Sequence, residues 1–396
     1  MVWLTAVEIT LGRVRSRARL SWFQPRGKRL PVISFIVGTT AELIKIAPVH
    51  HALVARGATP QLWFTAQHVD EVPDTLEDLG LSKPDVWLVP ERTARNLERP
   101  AQVPGWAASV ARSVAGRRKE LRAALESDGK PGVVVVHGDT FTTPYGSLIG
   151  RILGARVAHV EAGTRSGSLL SPLPEEANRR IAARMVDIHF APTPREVRNL
   201  RRARGVVVDT GANTVIDALR LAKEGGRAPY DLPAEFGLVT LHRFELLQRP
   251  EKFREVLQVL KRASEKTPLL YLVGAHERER LDALDLNGLF DDERFVLRPK
   301  LRYLEFLPLL TRAKFVVTDS GGLQEEGAYL GMPCAIHRER TERHQGLGQN
   351  IVLTGMRADK LEKFLVEHET LRRPSMMDQY HPSEVIADTL DRLGYV

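Results

Sequence analysis

Short apolar runs alternate with segments of helical periodicity along most of the chain. The first run, 31–37, ends at Gly38 and is followed by apolar residues at helical spacing. The later runs form two series, at 61–65, 132–137, 156–160, 187–191 and 206–209, and at 236–241, 268–273, 294–298, 314–318 and 333–337. Strands that alternate with helices form parallel sheets through right-handed crossovers. The pattern therefore predicts an α/β protein with two Rossmann-like domains in succession.

The two series of strands also predict how the 396 residues divide. We expect an N-terminal domain over 31–211 and a C-terminal domain over 212–379. The last helical pattern is long enough to return to the first domain, so we assign 380–396 to that domain. Residues 1–30 precede the first strand and are predicted to be a basic N-terminal extension.

Composition and charge exclude several classes of protein. With 43% hydrophobic and 27% charged residues, the chain has the composition of a globular protein. One cysteine, Cys334, excludes a disulfide framework and suits a reducing cytosol, so we expect a cytoplasmic protein. No uncharged apolar stretch approaches the roughly 18 residues of a membrane-spanning helix, so membrane insertion is not expected.

The net charge of +8 is unevenly distributed along the chain. Residues 1–30 hold seven basic side chains and one acidic side chain, so they contribute +6 and the remaining residues only +2. The body of the protein therefore lacks the broad basic surface of a nucleic-acid-binding domain, and no nucleic-acid partner is predicted.

Ionisable and polar residues follow several of the predicted strands. Asp139 and Glu161 come after consecutive strands of the first series, while His242, Arg243 and Ser320 follow strands of the second. Ligands of open α/β sheets bind beyond the carboxyl ends of the strands. We therefore expect these side chains to meet in one cleft between the two domains.

A Ser-Gly-Gly turn opens the helical pattern that follows 314–318. Close backbone approach at Gly321 and Gly322, with the free amides of a first helical turn, is typical of a diphosphate site. Glu325 and Glu326 are placed to accept hydrogen bonds from ribose hydroxyls. The alternative is a simple N-cap at Ser320, with acids placed favourably against the helix dipole.

His242 and Arg243 form a second candidate constellation. A histidine can give a proton to a leaving phosphate, and an arginine can hold its oxygens through two parallel hydrogen bonds. Taken alone, a histidine at a strand end is more often a structural hydrogen-bond partner, and this alternative stays open.

Three acids, Asp139, Glu161 and Glu175, form the third constellation, with Glu176 alongside. Carboxylates that share a partly desolvated cleft have raised pKa values, which suits proton transfer to and from carbon. The alternatives are a strand-end cap for Asp139, a salt bridge from Arg165 to Glu161, and first-turn helix acids for the other two.

Motifs of other chemistries are absent from the sequence. It has no phosphate-binding P-loop, no His-Glu-x-x-His, no Gly-x-Ser-x-Gly and no Asp-x-Asp of metal-dependent sugar transferases. A metal-free enzyme without a cofactor, acting on a nucleotide diphosphate compound, is the class that remains.

Five separated segments together resemble the non-hydrolysing UDP-N-acetylglucosamine 2-epimerase family, which has the GT-B fold. They lie at 137–140 (His-Gly-Asp-Thr), 159–165 (His-Val-Glu-Ala-Gly-Thr-Arg), 174–179 (Pro-Glu-Glu-Ala-Asn-Arg), 213–218 (Asn-Thr-Val-Ile-Asp-Ala) and 318–326 (Thr-Asp-Ser-Gly-Gly-Leu-Gln-Glu-Glu). The resemblance implies two Rossmann-like domains that face a central cleft, and a homodimer. It also implies interconversion of UDP-GlcNAc and UDP-ManNAc by elimination of UDP to 2-acetamidoglucal and its re-addition.

The resemblance further implies a role for individual residues. The acid/base set would be Asp139, Glu161 and Glu175, and His242 would assist the departure and return of the diphosphate. The implied substrate-binding residues are Lys45, Arg243, His276, Ser320, Gly321, Gly322 and Glu326.

The sequence departs from the family pattern at several positions. Thr40 replaces an arginine that is expected to face the phosphates. Gln67 is kept, but Val69 and Asp70 replace a polar pair that accompanies it where family members bind a second, activating substrate molecule. Three alternatives remain open: a hydrolysing relative that releases ManNAc and UDP, a GT-B glycosyltransferase and a non-catalytic UDP-sugar sensor.

Overall fold

The structure is a computed structural model that describes residues 31–97, 99–166, 174–225 and 227–396. The basic extension predicted over 1–30 lies outside the described residues. Helices and strands alternate along the described chain, and the strands form two parallel sheets, as the apolar pattern predicts.

The N-terminal half is built around the larger of the two sheets. Its strands are β1 Ile33–Val37, β2 Gln61–Phe64, β3 Val86–Trp87, β4 Glu126–Ser127, β5 Lys130–Pro131, β6 Val133–His137, β7 Arg156–Val160, β8 Ile188–Ala191 and β9 Val206–Asp209. Its helices are α1 Thr40–Ala55, α2 Val72–Asp78, α3 Val103–Gly116, α4 Arg118–Leu125, α5 Thr142–Leu153, α6 Glu175–Ala182 and α7 Pro194–Asn199. The next helix, α8 Val215–Gly225, places Val215, Ile216 and Leu219 in the core of the second half. The parallel sheet has the order β3-β2-β1-β6-β7-β8-β9, and β4 and β5 pair separately as an antiparallel hairpin.

The C-terminal half contains the second sheet, in the order β12-β11-β10-β13-β14-β15. Its strands are β10 Gly237–Thr240, β11 Leu269–Val273, β12 Phe295–Pro299, β13 Phe315–Thr318, β14 Cys334–Ile336 and β15 Ile351–Leu353. Its helices are α9 Phe244–Leu247, α10 Pro250–Ser264, α11 Ala275–Ala283, α12 Tyr303–Arg312, α13 Gly321–Leu330 and α14 Ala358–Leu371, and α15 Pro382–Arg392 follows them.

The central strands are continuous apolar runs because both faces of each sheet are covered by helices. The four valines of β6 and the residues of β1 are fully or almost fully buried. Strands buried on both faces cannot alternate polar and apolar residues, so their polar chemistry is confined to their ends. This arrangement places His137 and Glu161 at the carboxyl ends of β6 and β7.

Helix α15 packs on α1 in the N-terminal half. Its residues Ile386, Ala387 and Leu390 belong to the core around the first sheet. The ion pairs from Arg56 on α1 to Glu384 and Asp388 lie along the same contact. The chain end therefore crosses back from the second half to the first.

The spacing of apolar residues along the sequence does not predict three of the elements. The strands β3 and β15 have two and three residues and lie at sheet edges. The hairpin of β4 and β5 has two residues in each strand. Runs of this length are too short to show a period, because several alternations are needed.

Among the described helices, none combines the length and the apolar character that crossing a bilayer requires.

Candidate active site

A cluster of charges joins the two halves of the protein, and Glu161 is at its centre. Lys45 Nζ on α1 lies 2.7 Å from Glu161 Oε2, and Arg343 of the second half forms an ion pair with Oε1. His137 Nε2 lies 3.3 Å from the same carboxylate, and Asn213 Nδ2 donates a 2.8 Å hydrogen bond to it. The Glu161 side chain is only 3% exposed, so these contacts replace water.

The backbone of Glu161 is in the left-handed region, with φ of 67°. For a residue other than glycine, this conformation costs about 1–2 kcal/mol, and it persists only where the surroundings enforce it. The residue follows directly after β7, and Gly163, with φ of 90°, completes the turn. The turn directs the Glu161 carboxylate towards the second half of the protein. Backbone strain of this kind is typical of a functional site.

Glu325 is the counterpart of Glu161 in the second half of the protein. It lies in the first half of α13, is fully buried, and its Oε2 is 3.3 Å from Lys45 Nζ. Arg343 Nη1 is 3.1 Å from Glu325 Oε1, and Asn213 Nδ2 donates to the same carboxylate at 3.3 Å. Two carboxylates from opposite halves therefore share two cations and one amide.

The balance of charges sets the protonation of this cluster. Burial opposes ionisation of Glu161, but Arg343, Lys45 and His137 together lower the pKa of its carboxyl well below the ordinary value. Burial raises the pKa of Glu325, although Arg343 and Lys45 offset part of this effect. The two carboxylates raise the pKa of Lys45 and of Arg343 against the effect of burial. Glu161 is therefore an anion that two cations hold in place, and the raised pKa expected for a carboxyl of this set is wrong for Glu161.

A second network fixes the helix that carries Lys45. Thr39 is the N-cap of α1 and forms a capping box with Glu42. Glu42 Oε2 accepts hydrogen bonds from the amides of Gly38 at 2.8 Å and Thr39 at 2.9 Å, and Thr140 Oγ1 donates to Glu42 Oε1 at 2.7 Å. The segment with the departure at Thr40 is thus tied to the loop after β6, next to Asp139.

Two residues of α6 donate hydrogen bonds to Asp139. Arg179 donates to its carboxylate through Nε at 2.9 Å and through Nη2, and Asn178 Nδ2 donates to its carbonyl at 2.9 Å. The Asp139 side chain remains 21% exposed. Asp139 is therefore oriented by α6, and part of its side chain stays exposed to solvent.

The two neighbouring acids at the start of α6 have different environments. Glu176 is fully buried and accepts from Arg180 Nε at 2.7 Å and from the Ser166 amide at 3.1 Å, so it anchors the helix. Glu175 Oε2 is also buried, but within the described ranges it has no hydrogen-bond partner.

Asp319 organises the loop that carries His242 and Arg243. Its buried carboxylate accepts hydrogen bonds from the amides of His242 at 3.0 Å and Arg243 at 2.8 Å, and His242 Nδ1 lies 3.2 Å from it. The His242 side chain is 51% exposed. Asp319 therefore orients the imidazole and leaves the rest of the ring accessible.

The start of α13 has the features of both interpretations given above. Ser320 is the N-cap, and its Oγ accepts from the Leu323 amide at 3.4 Å. The capping contact therefore exists, and the amides of Gly321 and Gly322 belong to the first turn. Capping and anion binding are compatible, because a cap satisfies only one of the amides that a helix start leaves free.

The remaining predicted residues differ in their exposure to solvent. Glu326 is buried and accepts a 3.3 Å hydrogen bond from Tyr303, and burial raises the pKa of its carboxyl to about 7. Arg243 is partly exposed, and His276 is exposed near the start of α11. The alternative salt bridge from Arg165 to Glu161 is wrong, because Lys45 and Arg343 occupy that role and Arg165 donates to the Thr164 carbonyl.

Sequence reasoning missed Asn213, Glu325 and Arg343 as members of one cluster. The first two lie inside segments that carry the family resemblance, but their spacing does not reveal that they meet Glu161. Arg343 gives no local signal, because it lies in an irregular loop after β14. As to metal sites, no group of at least three His, Cys, Asp or Glu side chains that could hold an ion occurs in the part of the chain described.

Comparison with known proteins agrees with this architecture. The family model for UDP-N-acetylglucosamine 2-epimerase matches residues 51–381. A UDP-N-acetylglucosamine 2-epimerase of Yersinia pestis is 34% identical over 336 residues, which cover 80% of this chain and 85% of the relative.

Two solved structures are similar to the whole described fold. The UDP-GlcNAc 2-epimerase of Neisseria meningitidis, bound to UDP-GlcNAc, has a TM-score of 0.74 and 27% identity, covering 91% of this chain and 100% of the other. The Methanocaldococcus jannaschii enzyme, in complex with UDP-GlcNAc and UDP, has a TM-score of 0.71 and 26% identity, with coverage of 91% and 99%. These similarities confirm the predicted GT-B architecture, and the chain belongs to the UDP-N-acetylglucosamine 2-epimerase family of enzymes.

Proposed function

We propose that the chain interconverts UDP-GlcNAc and UDP-ManNAc by eliminating UDP to 2-acetamidoglucal and adding it back, without hydrolysis. One observation carries the proposal: an anionic carboxylate in a strained turn, Glu161, is held by Lys45 of its own half and by Arg343 of the opposite half. Family membership supports the substrate class, since the Neisseria meningitidis relative is described with UDP-GlcNAc bound.

The reaction explains why acids and a diphosphate site belong together. The hydrogen at C2 is not acidic, so its removal must accompany cleavage of the anomeric bond to UDP. A proton then returns to the opposite face of C2 and UDP adds again, which inverts the centre. Proton transfer on two faces requires more than one carboxyl group.

The three acids have environments that suit different parts of this work. Glu161 is ionised at neutral pH, because neighbouring cations lower the pKa of its carboxyl, and an ionised carboxylate acts as a base. Glu175, with its unpartnered oxygen, is proposed to exchange a proton on the other face. Asp139 is oriented by Arg179 and completes the acid/base set.

His242 is proposed to assist the departure and return of UDP. Asp319 faces Nδ1 of the ring, so Nε2 is the atom that exchanges a proton with a diphosphate oxygen. The proposed substrate-binding residues remain Arg243, His276, Ser320, Gly321, Gly322 and Glu326. Lys45, proposed as a substrate ligand, also holds Glu161 through an ion pair.

Deuterium exchange tests the reaction directly. Incubation of UDP-GlcNAc with the protein in D₂O should place deuterium at C2 and produce UDP-ManNAc, as followed by proton NMR. Substitutions Glu161→Gln, Asp139→Asn and His242→Ala should each slow the exchange, with at least about a hundredfold loss for Glu161→Gln. Glu251→Gln, at an exposed acid in the first turn of α10, is the matched control and should leave the rate unchanged.

The same incubation distinguishes the alternatives. Accumulation of free ManNAc with UDP would identify a hydrolysing enzyme. Absence of deuterium at C2 would leave a glycosyltransferase or a sensor, because neither breaks that C–H bond.

We also propose that the protein is a cytoplasmic homodimer, as the family resemblance implies. Light scattering of the purified chain should give twice the monomer mass of 44.3 kDa. A monomeric mass at micromolar concentration would contradict this part of the proposal.

A further inference from the structure

The first turn of α13 faces two charged side chains that are almost completely buried. A Cβ atom on Gly321 would lie 3.4 Å from Glu342 Oε1 and 3.9 Å from Arg338 Nη1. The side chains of Arg338 and Glu342 are 5% and 10% exposed. α13 has ten residues, so its start carries the partial positive charge of a complete helix.

Arg338 has donors that the protein does not use. Its Nε and Nη1 atoms are buried and have no hydrogen-bond partner among the described residues. The nearest acid is Glu342, whose Oε2 lies 3.5 Å from Nη1. Burial and the charge of Arg243 lower the pKa of the Arg338 guanidinium. Unpaired buried donors are costly, so the arrangement favours an incoming anion with several acceptor oxygens.

Glu342 is an anion in this positive environment, but its contacts are loose. Burial opposes its ionisation, and Arg343, Arg338 and Arg243 nevertheless lower the pKa of its carboxyl. The distances from its oxygens to Arg338 and Arg343 are 3.5 Å and 4.0 Å, longer than good charge-assisted hydrogen bonds. The carboxylate balances the charge of the pocket without satisfying its donors.

We propose that Arg338 binds the diphosphate of the substrate at the first turn of α13, and that Glu342 is an internal counter-ion which the diphosphate displaces. The proposal rests on the proposed function, which supplies a nucleoside diphosphate as the ligand. A diphosphate brings more acceptor oxygens than one carboxylate, so it can satisfy both the arginine and the helix amides.

The displacement has a consequence for the acid/base cluster. Glu342 directly precedes Arg343, which contacts Glu161 and Glu325. Movement of Glu342 out of the pocket therefore repositions the cation that holds Glu161. Binding of the diphosphate is in this way coupled to the carboxylate that acts on the sugar.

Calorimetric titration of the intact protein with UDP and, separately, with uridine tests the site. Arg338→Met should weaken UDP binding at least about tenfold and leave uridine binding unchanged, since a charged hydrogen-bonding group is lost only from the diphosphate. Arg338→Lys should recover part of the UDP affinity. Glu342→Gln should strengthen UDP binding, because it removes the competing anion. Arg340→Met, an exposed arginine two residues from Arg338, is the control.

The opposite results would overturn the proposal. Unchanged UDP affinity in Arg338→Met excludes the arginine from the site, and equal loss of UDP and uridine binding assigns it a structural role. Weaker UDP binding in Glu342→Gln shows that the carboxylate supports the site and does not compete for it. If the UDP results are as expected but no deuterium enters C2, the anion site stands and the proposed reaction fails.

Discussion

The guanidinium of Arg343, in the second half of the chain, forms an ion pair with the carboxylate of Glu161, at the end of a strand in the first half. The same guanidinium contacts Glu325, so it lies between two acids from opposite sides of the cleft. The environment of Glu161 is therefore complete only when the two halves are together. The contact between the two halves therefore sets the charge of the proposed base.

Substitution of Arg343 should alter the pH dependence of C2 exchange. Arg343→Met removes a cation that lowers the pKa of Glu161, so the carboxyl becomes protonated at a higher pH. The rate should then begin to fall at a higher pH on the acidic side than in the parent protein. Arg343→Lys should move the profile back towards the parent, and Arg340→Met should leave it unchanged. An identical profile in Arg343→Met would contradict the role of this cation.

Neutralising Glu325 should destabilise the fold. Glu325→Gln leaves Lys45 and Arg343 with one buried carboxylate between them. Loss of one partner of a buried ion pair costs about 3–5 kcal/mol, and we expect a decrease of about 3 kcal/mol in the free energy of unfolding by urea. Glu339→Gln, which removes an exposed ion pair with Arg249, should change it by less than about 1 kcal/mol. Equal effects of the two substitutions would refute this prediction.

Glu326 should contribute a pH-dependent loss of stability. Burial raises the pKa of its carboxyl from 4.5 to about 7, so the folded protein keeps a proton that the unfolded chain has lost in this range. Stability from this group therefore decreases as the pH rises from about 4.5 to about 7, by at most about 3 kcal/mol.

Glu326→Gln should remove that dependence. The difference in free energy of unfolding between variant and parent, measured by urea titration at several pH values, should shift in favour of the variant as the pH rises. A constant difference between pH 4.5 and pH 8 would show that Glu326 has an ordinary pKa.

Gly331, the C-cap of α13, should not tolerate a side chain. Its φ is 67°, and a Cβ atom would lie 2.0 Å from the carbonyl oxygen of Arg373. Gly154 caps α5 with φ of 82°, but a Cβ atom there meets nothing within 4 Å. Gly154→Ala should therefore cost only the backbone strain of about 1–2 kcal/mol, and Gly331→Ala distinctly more, as measured by urea unfolding. Equal costs would show that the loop at Arg373 yields freely.

Much of the fold could be predicted because its signals are local. A buried parallel strand is a continuous apolar run, and a helix repeats every 3.6 residues, so β6 and α1 are visible within a window of about a dozen residues. The short edge strands β3 and β15 were not visible, because two or three residues do not define a period. The end of an apolar run is also a local signal. Asp139 and Glu161 follow such runs, so the sequence predicts them as site residues.

The sequence alone determined the α/β class, which polar residues follow the strands, and the residue types that perform proton and phosphate chemistry. Only the tertiary structure decided that Lys45, 116 residues before Glu161, shares it with Arg343, and that Arg338 and Glu342 meet at the start of α13. The physical reason is that secondary structure follows from neighbouring residues, whereas ion pairing and burial depend on which distant segments the packing of two domains brings together.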